Sequence, residues 1–249
     1  MDGCHGGWES WTLLTALAGV TRRVQLGTYV LAAPLRNPAV LPKMAETFDE
    51  VSSGRLILGL GAGWNEPEFR AFGVPFADRF DRFEESLRVI CSMLRTGSAD
   101  LDGRHVRVRH AAIRPRGPRP PGLPVMVGAA GPRMLRLTAE LADHWNGGMR
   151  TPEELEPLLA ALDAACVAIG RDPHTITRSA EALVRTVDGV GAAPVEDREL
   201  RGDPAAIAAA LRQYAALGVD HVQVQLRPNS LEGVVAFSPV IAELDGHRY

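Results

Sequence analysis

Two glycine-rich segments follow short apolar runs in this sequence, and each has the composition of a ligand-binding turn. The first, Gly59-Leu60-Gly61-Ala62-Gly63, ends an apolar run that begins after Arg55. Trp64 follows directly and no helix begins there, so the segment departs from the GxGxxG dinucleotide fingerprint. Glycines at such a place either let the chain turn tightly or let its backbone approach a flat ligand closely.

The second segment, Gly128-Ala129-Ala130-Gly131-Pro132-Arg133, lies between a short buried strand and a helix. The free amides at the start of a helix and the helix dipole together favour anions. Arg133 adds a positive charge. The residues alone leave two interpretations, an anion-binding turn and an ordinary strand-to-helix turn with a solvated arginine, and they favour the ordinary turn.

Candidate catalytic groups are few. Glu66 and Glu68 follow the first glycine segment and are weak candidates for a general acid or base, because acidic loop residues are usually just solvated. The sequence shows no metal-ligand spacing, no GxSxG elbow and no spacing of a nucleophile with a base, so we assign no metal.

The bulk composition indicates one large α/β domain. The chain has 249 residues, 46% of them hydrophobic, and a net charge of -3. This slight acidity gives no reason to expect nucleic acid or a charged membrane surface as a partner. Three cysteines without a CxxC motif imply neither a disulfide framework nor a zinc site. No apolar run is long enough to span a membrane, and the first residues do not resemble a signal peptide, so we expect a cytoplasmic protein.

The segment from Val24 to Gly63 predicts a strand, a helix and a second strand. Two buried strands joined by a helix must be parallel, and the first glycine segment then lies at the carboxyl end of the second strand, where α/β folds keep their chemistry. Further strands are predicted near residues 124, 144, 176 and 221. Asn65 to Ala77 is predicted to be a loop. Residues 96 to 122 form an irregular insertion with a short β-arm at Arg104 to Ile113.

Three pieces of the sequence carry a family resemblance. They are LGT at 26–28, SSGRLILGLGAGW at 52–64, and FG at 72–73 followed by a helix at Arg82. In order and spacing they resemble the luciferase-like monooxygenases, and most of all the branch that uses the deazaflavin coenzyme F420. The resemblance continues through PPGLPVMVGAAGPRMLRLTAELADHWN and covers nearly the whole chain.

The resemblance implies an α/β fold of the TIM (β/α)8-barrel type, as a single domain over residues 1–249 with the insertion at 96–122. About six of the eight strands are present. Relatives have a further strand, helix and strand ahead of the helix that begins near Trp8, and many F420-using relatives carry an Asp-His pair there. Asp2 and His5 do not match that pair. We expect either a start codon assigned too late or a shortened chain.

The resemblance also implies a cofactor site. In relatives the position of Tyr29-Val30 carries a non-prolyl cis peptide that supports the flavin-type ring, and Gly61, Ala62 and Gly63 lie near that ring. The turn from Gly128 to Arg133 is expected to hold the coenzyme phosphate.

Two departures from the FMN-binding pattern favour F420 over FMN. Ala62 stands where luciferases have an arginine, and Gly131 and Met134 replace hydroxyl side chains at the phosphate turn.

The expected activity is hydride transfer between coenzyme F420 and a small organic substrate. An FMN-dependent monooxygenase of the same fold and a non-catalytic flavin-binding relative remain as alternatives. The resemblance further implies a homodimer formed through the helices Trp8 to Ala18 and Pro38 to Ser53, with Trp8 and Trp11 as aromatic anchors.

Overall fold

The computed structural model describes residues 8–119, 122–186 and 198–246. Its contacts form two compact units, residues 1–128 with 140–143, and residues 129–139 with 144–249. The expectation of a single domain over residues 1–249 stays a prediction, and Asp2 and His5 lie outside the described residues.

The first unit combines parallel strands with helices and one antiparallel hairpin. Strands β1 and β2 pair in parallel with β3, β3 pairs in parallel with β6, and β4 pairs with β5 antiparallel. In chain order its elements are α1 (Ser10–Val20), β1 (Leu26–Gly27), β2 (Leu31–Ala32), α2 (Val40–Ser52), β3 (Leu56–Gly61), α3 (Glu66–Ala71), α4 (Arg79–Thr96), β4 (Ser98–Asp102), β5 (Arg107–Ala112) and β6 (Val125–Gly128).

The predicted strand–helix–strand segment is confirmed, except that its first strand is divided into β1 and β2. All six residues of β3 are buried, as expected for a parallel strand covered on both faces. Helix α2 begins after Asn37, whose side chain accepts hydrogen bonds from the N–H groups of Ala39 and Val40. It buries Phe48, against which Trp11 of α1 packs edge-on with ring centroids 5.7 Å apart.

The sequence predictions differ from the structure in two places of this unit. The predicted loop Asn65 to Ala77 contains the short helix α3, because Pro67 is favourable in a first helical turn and Phe69 is fully buried. In the insertion, β5 lies within the predicted arm, but its partner β4 comes from the stretch expected to be irregular. Val106 and Val108 pack with Val89 and Met93 of α4, which gives the hairpin an apolar core of its own.

The second unit also consists of parallel strands and helices. Strand β8 pairs in parallel with β7 and with β10, and its carboxyl end pairs with β9. The elements are α5 (Pro132–Leu141, whose last two residues belong to the first unit), β7 (His144–Met149), α6 (Pro152–Ala168), β8 (Thr177–Arg185), β9 (Glu199–Leu200), α7 (Pro204–Ala216), β10 (His221–Arg227) and α8 (Leu231–Asp245).

Every predicted strand position is therefore occupied, and the α/β class is confirmed. The capping box of α6 is present, since the Thr151 hydroxyl accepts from the N–H of Glu154 while the Glu154 carboxylate accepts from the N–H of Thr151. No helix within the described ranges is both long enough and apolar enough to cross a membrane.

Candidate functional site

In the first unit, Thr28 connects two strands after β1 ends. Its buried hydroxyl donates to the carbonyl oxygen of Gly59 (2.7 Å) and accepts from the N–H of the same residue (2.9 Å). A Cβ on Gly59 would lie 1.9 Å from the Thr28 carbonyl oxygen. The side chain thus satisfies both backbone groups of Gly59, and that position is a glycine because the two strands approach closely.

The peptide bond between Tyr29 and Val30 is cis, as predicted. The Val30 side chain occupies the space next to two glycines, since a Cβ on Gly61 would lie 2.9 Å from Val30 Cγ2 and one on Gly128 would lie 3.1 Å from it. Tyr29 is 40% exposed. Gly61 and Gly128 therefore have a packing role within the unit.

Gly63 and Ala62 complete the first glycine segment. Gly63 has a φ of +82°, which favours glycine, and its Cβ would lie 2.5 Å from the Phe69 ring. Ala62 is buried. Internal packing and backbone conformation account for these small residues, and their predicted contact with a flat ring stays a prediction.

Glu66 and Glu68 lie on α3. Glu66 is exposed and its carboxylate is 3.4 Å from the guanidinium of Arg70, one helical turn further on. Such surface pairs contribute about 0.3–0.5 kcal/mol. Glu68 is half-buried. The structure gives Glu66 the environment of a solvated surface carboxylate, and neither residue gains support as a general acid or base.

In the second unit, the predicted phosphate turn is anchored at its first residue. The N–H of Ala129 donates to the carbonyl oxygen of Asn146 (3.3 Å), and its own carbonyl oxygen accepts from Trp145 Nε1 (2.9 Å). Trp145 is fully buried. The start of the turn is therefore held by β7.

The rest of the turn is open. Ala130, Gly131, Pro132 and Arg133 are all exposed, and a Cβ added to Gly131 would have no atom within 4 Å. Pro132 is the first residue of α5, and the carbonyl oxygen of Gly131 accepts from the N–H of Leu135 (2.9 Å). A helix N-terminus with open space around it fits a phosphate group.

Polar side chains that the sequence analysis did not identify hold β7, the strand that anchors this turn. Ser179 Oγ donates to the carbonyl oxygen of Trp145 (3.0 Å) and accepts from Asn146 Nδ2 (3.1 Å). Asn146 Oδ1 accepts from the N–H of Gly148 (2.9 Å). This buried network fixes β7, which in turn positions Ala129.

Glu181 lies on the same face of β8 as Ser179, and the sequence analysis did not identify it either. Arg178 bonds Asp163 on α6, so the alternate residues Ser179 and Glu181 face away from that helix. Burial raises the pKa of the Glu181 carboxyl. Gln223 lies opposite in the register, and its Oε1 is buried without a hydrogen-bond partner among the described residues. Polar and apolar residues alternate along His221 to Arg227, and this pattern could have indicated that Gln223 lies on a polar face of the strand.

A buried ion pair closes the carboxyl end of β8. Arg185 Nε is 2.9 Å from Glu199 Oε2, and the side chain of Glu199 is fully buried. The strands predicted near residues 176 and 221 left the stretch between them unassigned. Residues 198–201 are described, and Glu199 and Leu200 form β9, because pairing with β8 brings the carboxylate to the arginine.

Parallel strands alternating with helices define an α/β protein, a class whose functional sites lie at the carboxyl ends of the strands. The family model of the luciferase-like monooxygenases matches residues 2–189. The chain belongs to the luciferase-like monooxygenase family, an oxidoreductase family.

Curated relatives match two thirds of the chain. The pyrimidine monooxygenase RutA of Cronobacter sakazakii is 32% identical over an alignment of 173 residues, which covers 66% of this chain and 50% of the relative. RutA of Methylobacterium radiotolerans is 33% identical over 172 residues, 66% of this chain and 44% of the relative. The match thus spans about half the length of these relatives.

Solved structures show the fold. The F420-dependent tetrahydromethanopterin reductase from Methanopyrus kandleri has a TM-score of 0.81 at 19% identity, covering 97% of this chain and 88% of the other. The monooxygenase RslO1 from Streptomyces bottropensis has a TM-score of 0.79 at 20% identity, covering 97% and 83%. An F420-dependent secondary alcohol dehydrogenase with an F420-acetone adduct has a TM-score of 0.81 at 17% identity, covering 97% and 86%. The predicted fold class is confirmed.

Replacing Thr28 by valine tests the strand junction. Thr28→Val keeps the side-chain volume but leaves the buried N–H and C=O of Gly59 without the hydroxyl, and an unsatisfied buried group costs about 1–3 kcal/mol. We expect urea unfolding to show a loss of that order. Thr47→Val is the control, because this exposed hydroxyl bonds only Lys43 within α2, and its effect should stay within about 0.5 kcal/mol. Equal losses in both variants would contradict the assignment.

The raised pKa of Glu181 predicts a pH-dependent stability. A carboxyl that binds its proton more tightly in the folded state favours folding below its usual pKa of 4.5, and this contribution is lost as the pH rises through the folded value. Glu181→Gln stays neutral, so thermal unfolding should show it gaining stability over the native protein between pH 4 and pH 7.

The control for this comparison is Glu153→Gln. The pKa of Glu153 is lowered, chiefly by its own backbone N–H, so this variant should lose stability relative to the native protein over the same pH interval. A shift of the same sign in both variants would rule out the assigned burial effect at Glu181.

Proposed function

We propose that this chain belongs to an F420-dependent oxidoreductase that transfers hydride between the deazaflavin and a small organic substrate. The observation that carries the proposal is the turn before α5, which is open and anchored at Ala129. It has Gly131 where the FMN-binding pattern has a hydroxyl side chain. Two of the solved structures with the same fold are F420-dependent enzymes.

The residues of the turn fit a coenzyme phosphate. Ala130, Gly131 and Arg133 are exposed at the helix N-terminus, where the dipole and the arginine favour an anion. Met134 is buried, so its side chain lies in the core and offers no contact at the turn. The predicted contacts of Tyr29, Val30, Gly61, Ala62, Gly63 and Gly128 with the ring are retained as part of the proposal.

When bound, reduced F420 supplies the hydride, and the chain contributes positioning and proton handling. Trp145, Asn146 and Ser179 hold the phosphate turn in place. Glu181 joins the weaker candidates Glu66 and Glu68 as a proton donor, because burial lets its carboxyl keep a proton to higher pH than usual.

The second candidate is an FMN-dependent monooxygenase. It is favoured by the sequence relatives, which are named pyrimidine monooxygenases, and by structural similarity to a riboflavin lyase that holds a modified FMN. The missing hydroxyl side chains at the phosphate turn argue against FMN.

A non-catalytic flavin-binding relative is the third candidate, since the match spans about half the length of the curated relatives. Steady-state oxidation of reduced F420 with a panel of enones and imines separates the first candidate from both others.

The phosphate turn is tested by Gly131→Asp. A carboxylate there repels the coenzyme phosphate and crowds the amides, so the affinity for F420 in a fluorescence titration should fall by at least about tenfold. The open space around Gly131 predicts that the fold survives, which circular dichroism checks.

Gly19→Asp is the matched control for this substitution. Gly19 lies in α1, has no atom within 4 Å of an added Cβ, and is exposed like Gly131. It should leave the affinity for F420 unchanged. Unchanged affinity in Gly131→Asp would place the phosphate elsewhere.

We further propose that the protein forms a homodimer through α1 and α2. Both helices present apolar side chains to solvent, including Leu13 and Leu17 on α1 and Val40 and Val51 on α2. Light scattering at micromolar concentration should give a dimer, and Leu17→Glu should shift it towards monomer. Leu231→Glu on α8 is the control, because that side chain is also apolar and 79% exposed. A native monomer, or equal effects of both variants, would contradict the proposal.

A further inference from the structure

Three potential metal ligands meet in the first unit, where the β4–β5 hairpin packs on α4. Asp78 precedes α4, Asp81 lies in its first turn, and His105 lies in the connection between β4 and β5. One ligand atom from each lies within 4.8 Å of the others. His105 is distant in the sequence from the two aspartates and meets them only because the hairpin packs on α4, which explains why the sequence showed no metal-ligand spacing.

His105 is the unusual member of this cluster. Its side chain is 6% exposed, and its Nε2 is buried without a hydrogen-bond partner among the described residues. Asp81 Oδ2 is 3.9 Å away, which is beyond hydrogen-bond distance. A buried polar nitrogen without a hydrogen bond is costly, and this one lies beside the carboxylate of Asp81.

The backbone around His105 is held firmly. The Glu85 carboxylate, from the second turn of α4, accepts from the N–H groups of Arg104 (3.0 Å), His105 (2.8 Å) and Val106 (2.7 Å). Burial acts to raise the pKa of Glu85, but these three donors outweigh it and the pKa lies below its usual value. The backbone that carries the imidazole is thus held against α4 by contacts that do not involve the cluster itself.

We propose that Asp78, Asp81 and His105 bind a divalent transition-metal ion, of which Zn²⁺ has the best-matching chemistry. One imidazole nitrogen and two carboxylate oxygens are donors that zinc accepts, with a water in the fourth position. Two carboxylates and a neutral imidazole balance the charge of the ion.

The geometry needs a modest closure. Zinc bonds of about 2.0–2.2 Å require ligand atoms roughly 3.3–3.5 Å apart in a tetrahedral site. The side chain of Asp81 is 40% exposed, so its carboxylate has room to move towards the imidazole. The neighbouring cation Arg79 stacks on Phe76, with its guanidinium carbon 3.9 Å from the ring centroid, so that its charge is partly engaged by the ring. A bound ion would join the β4–β5 hairpin to α4.

The test is zinc binding by the full chain without a histidine tag, measured at pH 7.5 by calorimetry and by the visible spectrum of the cobalt-substituted protein. We expect one equivalent of metal and a spectrum of tetrahedral cobalt. His105→Gln should weaken zinc binding at least about 100-fold, the upper end of what removing a supporting partner of a metal ligand costs. His110→Gln is the matched control, because this histidine lies on the same hairpin, also near an aspartate, but its side chain is 93% exposed.

Thermal unfolding gives a second measurement. Zinc should raise the unfolding midpoint of the native chain and of His110→Gln, since a ligand that binds only the folded state stabilises it, and should leave His105→Gln unchanged. Asp81→Asn provides an independent variant should His105→Gln fold poorly, and it should also lose the midpoint shift. Absence of zinc binding by the native chain, or equal binding by His105→Gln, would overturn the proposal.

Discussion

The close approach of the Thr28–Val30 segment to β3 is the constraint on which the first unit depends. Thr28 satisfies both backbone groups of Gly59 across a gap that leaves no room for a Cβ, and Val30 then lies against Gly61 and Gly128. Any larger residue at these glycines would push the strand ends apart. The carboxyl ends of β1, β3 and β6 are therefore held by side-chain packing as well as by strand hydrogen bonds.

This constraint changes how the glycines are interpreted. In the first segment they accommodate Thr28, Val30 and Phe69, so their small size follows from packing within the unit. Gly131 in the second unit differs, since none of the described residues has an atom within 4 Å of a Cβ added there. Of the two glycine-rich segments, only the turn before α5 keeps open space that the fold itself does not use, and the functional proposal rests mainly on that turn.

The sequence predicted the positions of the strands and of helices α1, α2, α4 and α5, because apolar patterning and turn residues act locally. The cis peptide at Tyr29-Val30 came from family resemblance and no local pattern would have given it. The features that were missed depend on contacts between distant residues. Strand β9 exists because Glu199 pairs with Arg185, and β4 because the hairpin core packs on α4. The exposed environment of Glu66 and the half-buried one of Glu181 likewise follow from tertiary packing, which residue type alone does not reveal.

The central claim is that the phosphate turn selects F420 rather than FMN. The most direct measurement is an equilibrium titration of the same protein preparation with each coenzyme, followed by fluorescence at equal ionic strength. The account predicts that F420 binds at least about tenfold more tightly, a difference of roughly 1.4 kcal/mol. Tighter binding of FMN would contradict it and would favour the FMN-dependent monooxygenase.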